Sequence, residues 1–261
     1  MANEKLISFD LRADFGFFKK PDYNVGLQLS YNMLHKPALL GILGAIAGLA
    51  GYQRKGELPE YYLKLQDLLI GIKPLDHEKG NFQKTSVKYT NTVGYANMDG
   101  TMLIEETILV SPAYKCFLLL DMDNTDHEKL YRFIKKGDAE YIPYLGKNEY
   151  QAWIDGNTTE YSFTKYNNAI EEFRIETLFI KEGTIRKQKV VPRFSFTTKS
   201  MTNYGSYCYF ERLPIGFDEQ LMQYELNNFA FTDWVLKPDS TIESLYQVID
   251  DTNTKTIIQL F

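Results

Sequence analysis

The stretch that most constrains this chain is Lys36–Tyr52, KPALLGILGAIAGLAGY, whose apolar spacing predicts one helix. At about 100° per residue, Leu39, Ile42, Leu43, Ile46, Leu49 and Ala50 share one arc and Gly41, Gly44, Gly48 and Gly51 share another. A helical glycine is less favourable than alanine by about 0.8–1 kcal/mol, so a glycine arc implies close approach of a neighbour: a sheet, another subunit or a nucleic acid. Packing on a sheet is the plainest of the three, and Gly41, Gly44 and Gly48 are read as structural glycines. Lys36 and Arg54 bracket a run shorter than the roughly 20 apolar residues of a membrane span.

A chain of 261 residues, 44% hydrophobic, has the material for a core. Cys116 and Cys208 sit in apolar runs without metal-ligand spacing and read as reduced core residues, which points to the cytoplasm. The opening MANEKLISFD lacks the positive-then-apolar order of a signal peptide. The net charge of −5 is unevenly spread. Lys181, Arg186, Lys187, Lys189, Arg193 and Lys199 face a single acid, Glu182, whereas Glu211 to Asp251 holds nine acids against Arg212 and Lys237.

In chain order, Ile7, Phe9, Leu11 and Ala13 alternate with polar residues, the pattern of a strand with one buried face. Phe15–His35, punctuated by Gly16, Pro21 and Gly26, reads as a long loop. Beyond the glycine-faced helix, Pro59 opens a short helix to Gln66, and the strand Leu68–Ile72 is expected to end at Pro74. Asp76–Gly100 loses the core pattern and reads as a projecting β-hairpin. Met102–Val110 and Tyr114–Asp121 follow as strands hinged at Ser111–Pro112. Thr125 and Glu128 have capping-box spacing for a helix that Gly137 stops. A strand near Trp153 completes a β-α-β-β-α-β order, and a basic strand pair, Phe173–Ile180 and Ile185–Phe196, is expected beyond it. The expected fold is α+β: a ferredoxin-like (RRM-like) domain over residues 1–160 with a hairpin insertion at about 75–100, and a mostly β extension over 161–261.

Three motifs in this order, LISFDLRADFGFFKK, HKPALLGILGAIAGL and IPYLGKNEY, resemble the CRISPR-associated Cas-five family of the RAMP superfamily, closest to its type I-B branch. They cover most of residues 5–150, and beyond residue 160 the likeness is diffuse. The resemblance implies a non-catalytic, RNA-binding cap on the 5′ handle of CRISPR RNA in a type I Cascade ribonucleoprotein of antiviral defence. Its implied partners are the backbone and large subunits, with contact to target DNA left open, and it implies no cofactor.

The residue chemistry suits such a role, since cations neutralise phosphates, aromatics stack on unpaired bases and glycine turns expose N–H groups. The candidates are Lys19, Lys20 and Lys36 beside the first strand and helix, Lys84, Lys88 and Tyr89 on the hairpin, and Lys147 and Asn148 on the Gly146 turn. Arg186, Lys187, Lys189 and Arg193 form a second surface. Another branch of the family cuts repeat RNA without a metal, and the only tight Tyr/His/Lys cluster that could serve is Tyr31, His35 and Lys36. His77 and His127 read as surface histidines, and the scattered histidines with Asp121 and Asp123 make no recognisable metal set. A structural adaptor that docks only proteins is the third reading.

Overall fold

The computed structural model describes residues 3–22, 26–90, 102–167, 171–181, 201–238 and 242–261. β1 (Glu4–Ala13) is followed by four short strands, β2 (Phe15–Gly16), β3 (Phe18–Lys19), β4 (Leu27–Gln28) and β5 (Ser30–Tyr31), then by α1 (Lys36–Ala47), α2 (Glu60–Leu65) and β6 (Leu69–Leu75). Next come β7 (Lys84–Thr90), β8 (Leu103–Val110), β9 (Ala113–Asp121), α3 (Thr125–Lys136) and the long β10 (Ala152–Lys165). The remainder is β11 (Phe179–Ile180), β12 (Met201–Asn203), β13 (Cys208–Asp218), β14 (Gln223–Thr232), β15 (Val235–Leu236), β16 (Leu245–Ile249) and β17 (Lys255–Gln259).

The main sheet has the order β17-β16-β10-β1-β9-β6, and every neighbouring pair is antiparallel. Alternation in β1 sends Ile7, Phe9, Leu11 and Ala13 into the large core shared with α1 and α3. The first half of its other face is buried too, contrary to expectation, while Asp10 and Arg12 stay half-buried: Leu6 joins Phe117, Leu119, Val248, Ile258 and Leu260 in a second cluster, and Ser8 is sealed with its hydroxyl 2.9 Å from that of Tyr161. The cause is long-range, because Ile70 and Phe261 exchange both backbone hydrogen bonds at 3.2 and 2.9 Å. The C-terminal residues thereby line the outer edge of β6 and the two ends of the sheet meet. β10 runs without interruption from its pairing with β1 to its pairing with β16, so residues 160–161 fall within one strand.

β6 continues through Pro74, which pairs with Tyr114, instead of ending there. A proline without an N–H is accommodated because β6 is the last strand of this sheet. The hairpin also differs from its expected limits. β7 pairs with β8, so the strand expected after the hairpin at Met102–Val110 instead forms its second arm, and residues 91–101 lie outside those described. The cap of α3 is Asn124, whose side chain accepts from Asp126 N and His127 N, while Gly137 ends the helix at φ 70°. Phe15–His35 holds β2 to β5, with β3 and β5 paired and β2 and β4 on β8. The basic stretch expected at Ile185–Phe196 lies outside the described residues. No helix among those described is long and apolar enough to cross a membrane.

Candidate nucleic-acid interface

α1 is shorter than its apolar run, because Gly48 adopts φ 75° as the C-cap and its N–H returns to the helix carbonyls. The glycine arc therefore splits. At Gly44 a Cβ would stand 2.4 Å from the Cβ of Tyr61, so the close neighbour is α2 and not a sheet. At Gly48 a Cβ would stand 2.7 Å from Cγ of Glu140, and at Gly41 it would make only an ordinary contact with the Tyr61 ring. Gly44→Ala is expected to lower unfolding free energy by about 1–3 kcal/mol through overpacking, read by denaturant unfolding, whereas helix propensity alone predicts a gain.

With Leu39, Leu40, Ile42, Leu43 and Ile46 buried, the half-buried positions of α1 are small: Ala38, Gly41 and Ala45. They form the floor of a groove of about 970 Å³. Its walls come from Tyr89, Ile104 and Glu106 on the hairpin, from the 141–147 turn, from Tyr52, Gln53 and Tyr61, and from Phe217 and Tyr224 on the β13–β14 ribbon. The turn is fixed by its backbone: Glu140 and Tyr141 donate to the Ile46 and Ala45 carbonyls, Phe17 N donates to Leu145 O, and the Leu145 side chain is fully buried. Gly146 sits at φ 88° against Phe17 O. Tyr141 and Ile142 are consequently thrust outward, 60% and 66% exposed.

Lys147 leaves this turn toward a buried carboxylate. Its Nζ donates to Glu106 Oε2 and to the Tyr89 hydroxyl, both at 2.8 Å, and lies 4.9 Å from the Tyr89 ring centroid. Burial lowers the Lys147 pKa, but the bonds to Glu106, Tyr89 and Glu149 outweigh it and hold the ammonium charged. The charge is largely compensated, so Lys147 acts as a clamp on Tyr89 more than as a bare phosphate ligand.

The other predicted residues divide. Lys19 lines the groove, is exposed and makes no ion pair among the described residues. Asn148 is exposed on the turn. Lys20 pairs with Glu211 at 3.1 Å. Period-two alternation in β7 puts Lys84 and Lys88 on the face opposite Tyr89. Lys88 meets Glu105 at 3.2 Å, and burial, with Lys20 beside it, lowers the Lys84 pKa against the pull of Glu211. Lys36 is buried, its Nζ donating to Phe261 O at 3.0 Å. Arg186, Lys187, Lys189 and Arg193 lie outside the described residues.

Tyr31 and His35 do come together, ring centroids 5.4 Å apart, but within the core and without the Lys36 ammonium. Burial drives the His35 pKa down to about 3 and the Tyr31 phenol up to about 12. His77 and His127 are half-buried and not surface groups: His77 is packed edge-on to Tyr207 and Phe231, and His127 Nδ1 accepts from Asp121 N. The groove aromatics Tyr52, Tyr61, Tyr141, Tyr144, Phe217 and Tyr224, and the carboxylate of Glu106, escaped sequence reasoning. The only available signal was the exposed-aromatic pattern of Tyr141-Ile-Pro-Tyr144 inside a turn.

No family model matches the chain, and no curated protein does. Among solved structures it is similar to a CRISPR protein from Archaeoglobus fulgidus, at 11% identity and a TM-score of 0.48, over 98% of this chain and 99% of that one. It is also similar to a chain of a CRISPR RNA-guided surveillance complex, at 10% identity and TM-score 0.43, over 96% and 91% of the two chains. A chain of the type III-B Cmr-beta complex bound to cognate target RNA and AMPPnP gives 12% identity and TM-score 0.46, over 90% and 86%. At these scores and identities the likenesses fix neither a family nor an activity for this chain.

Proposed function

We propose that this chain is a non-catalytic RNA-binding subunit of the Cas-five kind, which caps the 5′ handle of a CRISPR RNA in a type I, I-B-like Cascade complex beside the backbone and large subunits. The observation that carries this reading is the aromatic groove over α1, because it gathers residues from all three motifs behind the family resemblance: Phe17, Phe18 and Lys19 from the first, His35, Ala38, Gly41 and Ala45 from the second, and Ile142, Tyr144, Gly146 and Lys147 from the third. We read β1-α1-β6-β9-α3-β10, with its four strands ordered β10-β1-β9-β6, as the ferredoxin-like unit of that family. Tyrosine faces stack on splayed bases and Lys19 meets the backbone, so affinity comes from stacking more than from charge.

Cleavage needs a base and an acid near neutral pH. His35, depressed to about 3, supplies no acid there, Tyr31, raised to about 12, supplies no base, and the Lys36 ammonium is held at Phe261. The test is a complex reconstituted with CRISPR RNA and partner subunits and challenged with salt. Tyr89→Ala is expected to weaken RNA retention by about 1–3 kcal/mol with little change in salt slope, and Tyr89→Phe to preserve it. Lys19→Ala should flatten the slope of log affinity against log salt by about 0.7. Unchanged retention in both variants, or specific cutting of repeat RNA in chelator, overturns the reading.

A further inference from the structure

His35 lines the groove although only 4% of it is exposed. As N-cap of α1 it accepts at Nδ1 from Ala38 N, 3.3 Å away. A neutral imidazole that accepts at Nδ1 carries its proton on Nε2, and burial keeps this ring neutral at physiological pH. Phe18, Tyr31 and Tyr224 meet the ring at centroid distances of 5.8, 5.4 and 5.6 Å and fix its orientation. No described residue accepts from Nε2, yet Nε2 is not among the sealed side-chain atoms that lack a hydrogen bond in the described residues. The sliver of accessible surface on His35 therefore includes Nε2, and it opens on the groove.

A buried donor in that position calls for an acceptor from whatever fills the groove. A phosphate is a poor fit. At the start of α1, Pro37 has no N–H, Ala38 N and Leu39 N both bond to His35, and the imidazole is uncharged. A neutral carbonyl oxygen on a flat ring fits better, because Tyr61, Phe217 and Tyr224 line the same groove and the last two stack at 4.9 Å. We propose that this part of the groove is a subsite for an unpaired uracil or guanine, whose O4 or O6 carbonyl oxygen accepts from His35 Nε2–H. Cytosine and adenine present an amino group at the equivalent position, so donor would meet donor. The subsite rests on the RNA-binding reading and adds to it a base preference.

The test uses the full chain with fluorescein-labelled uridine and cytidine octamers at low ionic strength, followed by anisotropy. The uridine octamer is expected to bind about fivefold more tightly, the range of one neutral hydrogen bond. His35→Asn retains a capping side chain at the helix start but is too short to reach the base and leaves part of the ring site empty, so it should fold with a lowered melting temperature and lose the preference. Equal wild-type affinities overturn the subsite and leave the RNA groove standing, and this comparison does not depend on how the variant folds. A folded His35→Asn that still prefers uridine overturns the assignment to His35. Absence of binding to either octamer overturns the RNA reading and the subsite together, and leaves the groove to a protein segment.

Discussion

Gly146→Ala is expected to destabilise the protein by about 3–5 kcal/mol in denaturant unfolding, among the largest effects of any single methyl group here. At φ 88° an alanine is strained whatever surrounds it, and its Cβ would lie 1.8 Å from Phe17 O, a backbone atom that cannot swing away. The only relief is to part the 141–147 turn from β2 and β3, which breaks the bond from Phe17 N to Leu145 O. That motion would also withdraw Lys147 from Tyr89 and Glu106, so any folded remnant should lose RNA retention. Stability within about 1 kcal/mol of the parent protein would mean that the turn is not seated as described.

Glu211→Ala should have an effect of similar size, about 3–5 kcal/mol, for a different reason. The Glu211 side chain is 8% exposed, and its carboxylate accepts from Asn32 N and Met33 N at 3.1 Å, from the Tyr209 hydroxyl at 2.7 Å and from Lys20 at 3.1 Å. This one side chain ties the β13–β14 ribbon to the segment that delivers His35 and α1. Removing it strands two backbone N–H groups and a phenol. Lys20, 29% exposed, contributes the smaller share because water screens it. Glu211→Gln keeps the shape and one acceptor and should fall between the two. A change below about 1 kcal/mol for Glu211→Ala, read from denaturant midpoints at constant slope, would contradict the clasp.

What the sequence disclosed was local. Alternation in Ile7–Ala13, the apolar spacing of Leu39–Ile46 and the Gly137 stop each depend on a few neighbouring residues, and each corresponds to an element of the fold. The end of α1 was masked because Leu49 and Ala50 extend the apolar run beyond Gly48, where the αL conformation ends the helix. Pairing across distance was illegible. Ile104 to Val110 reads equally well as a core strand or a hairpin arm, and only its register with Lys84–Thr90 decides. The Glu211 clasp spans 179 residues to Asn32, and the burial of Lys36 depends on Phe261, 225 residues away. The division of β7 into a lysine face and a Tyr89 face was available from its period of two.

The most direct test of the proposal that RNA fills the groove is photo-crosslinking of the reconstituted complex, with 4-thiouridine placed along the 5′ handle and attachment sites mapped by mass spectrometry. Attachment at the groove residues Tyr52, Tyr89, Tyr141 and Tyr144 is expected. Cross-links confined to residues outside the groove, such as those of β16 and β17, would contradict an RNA-holding groove over α1.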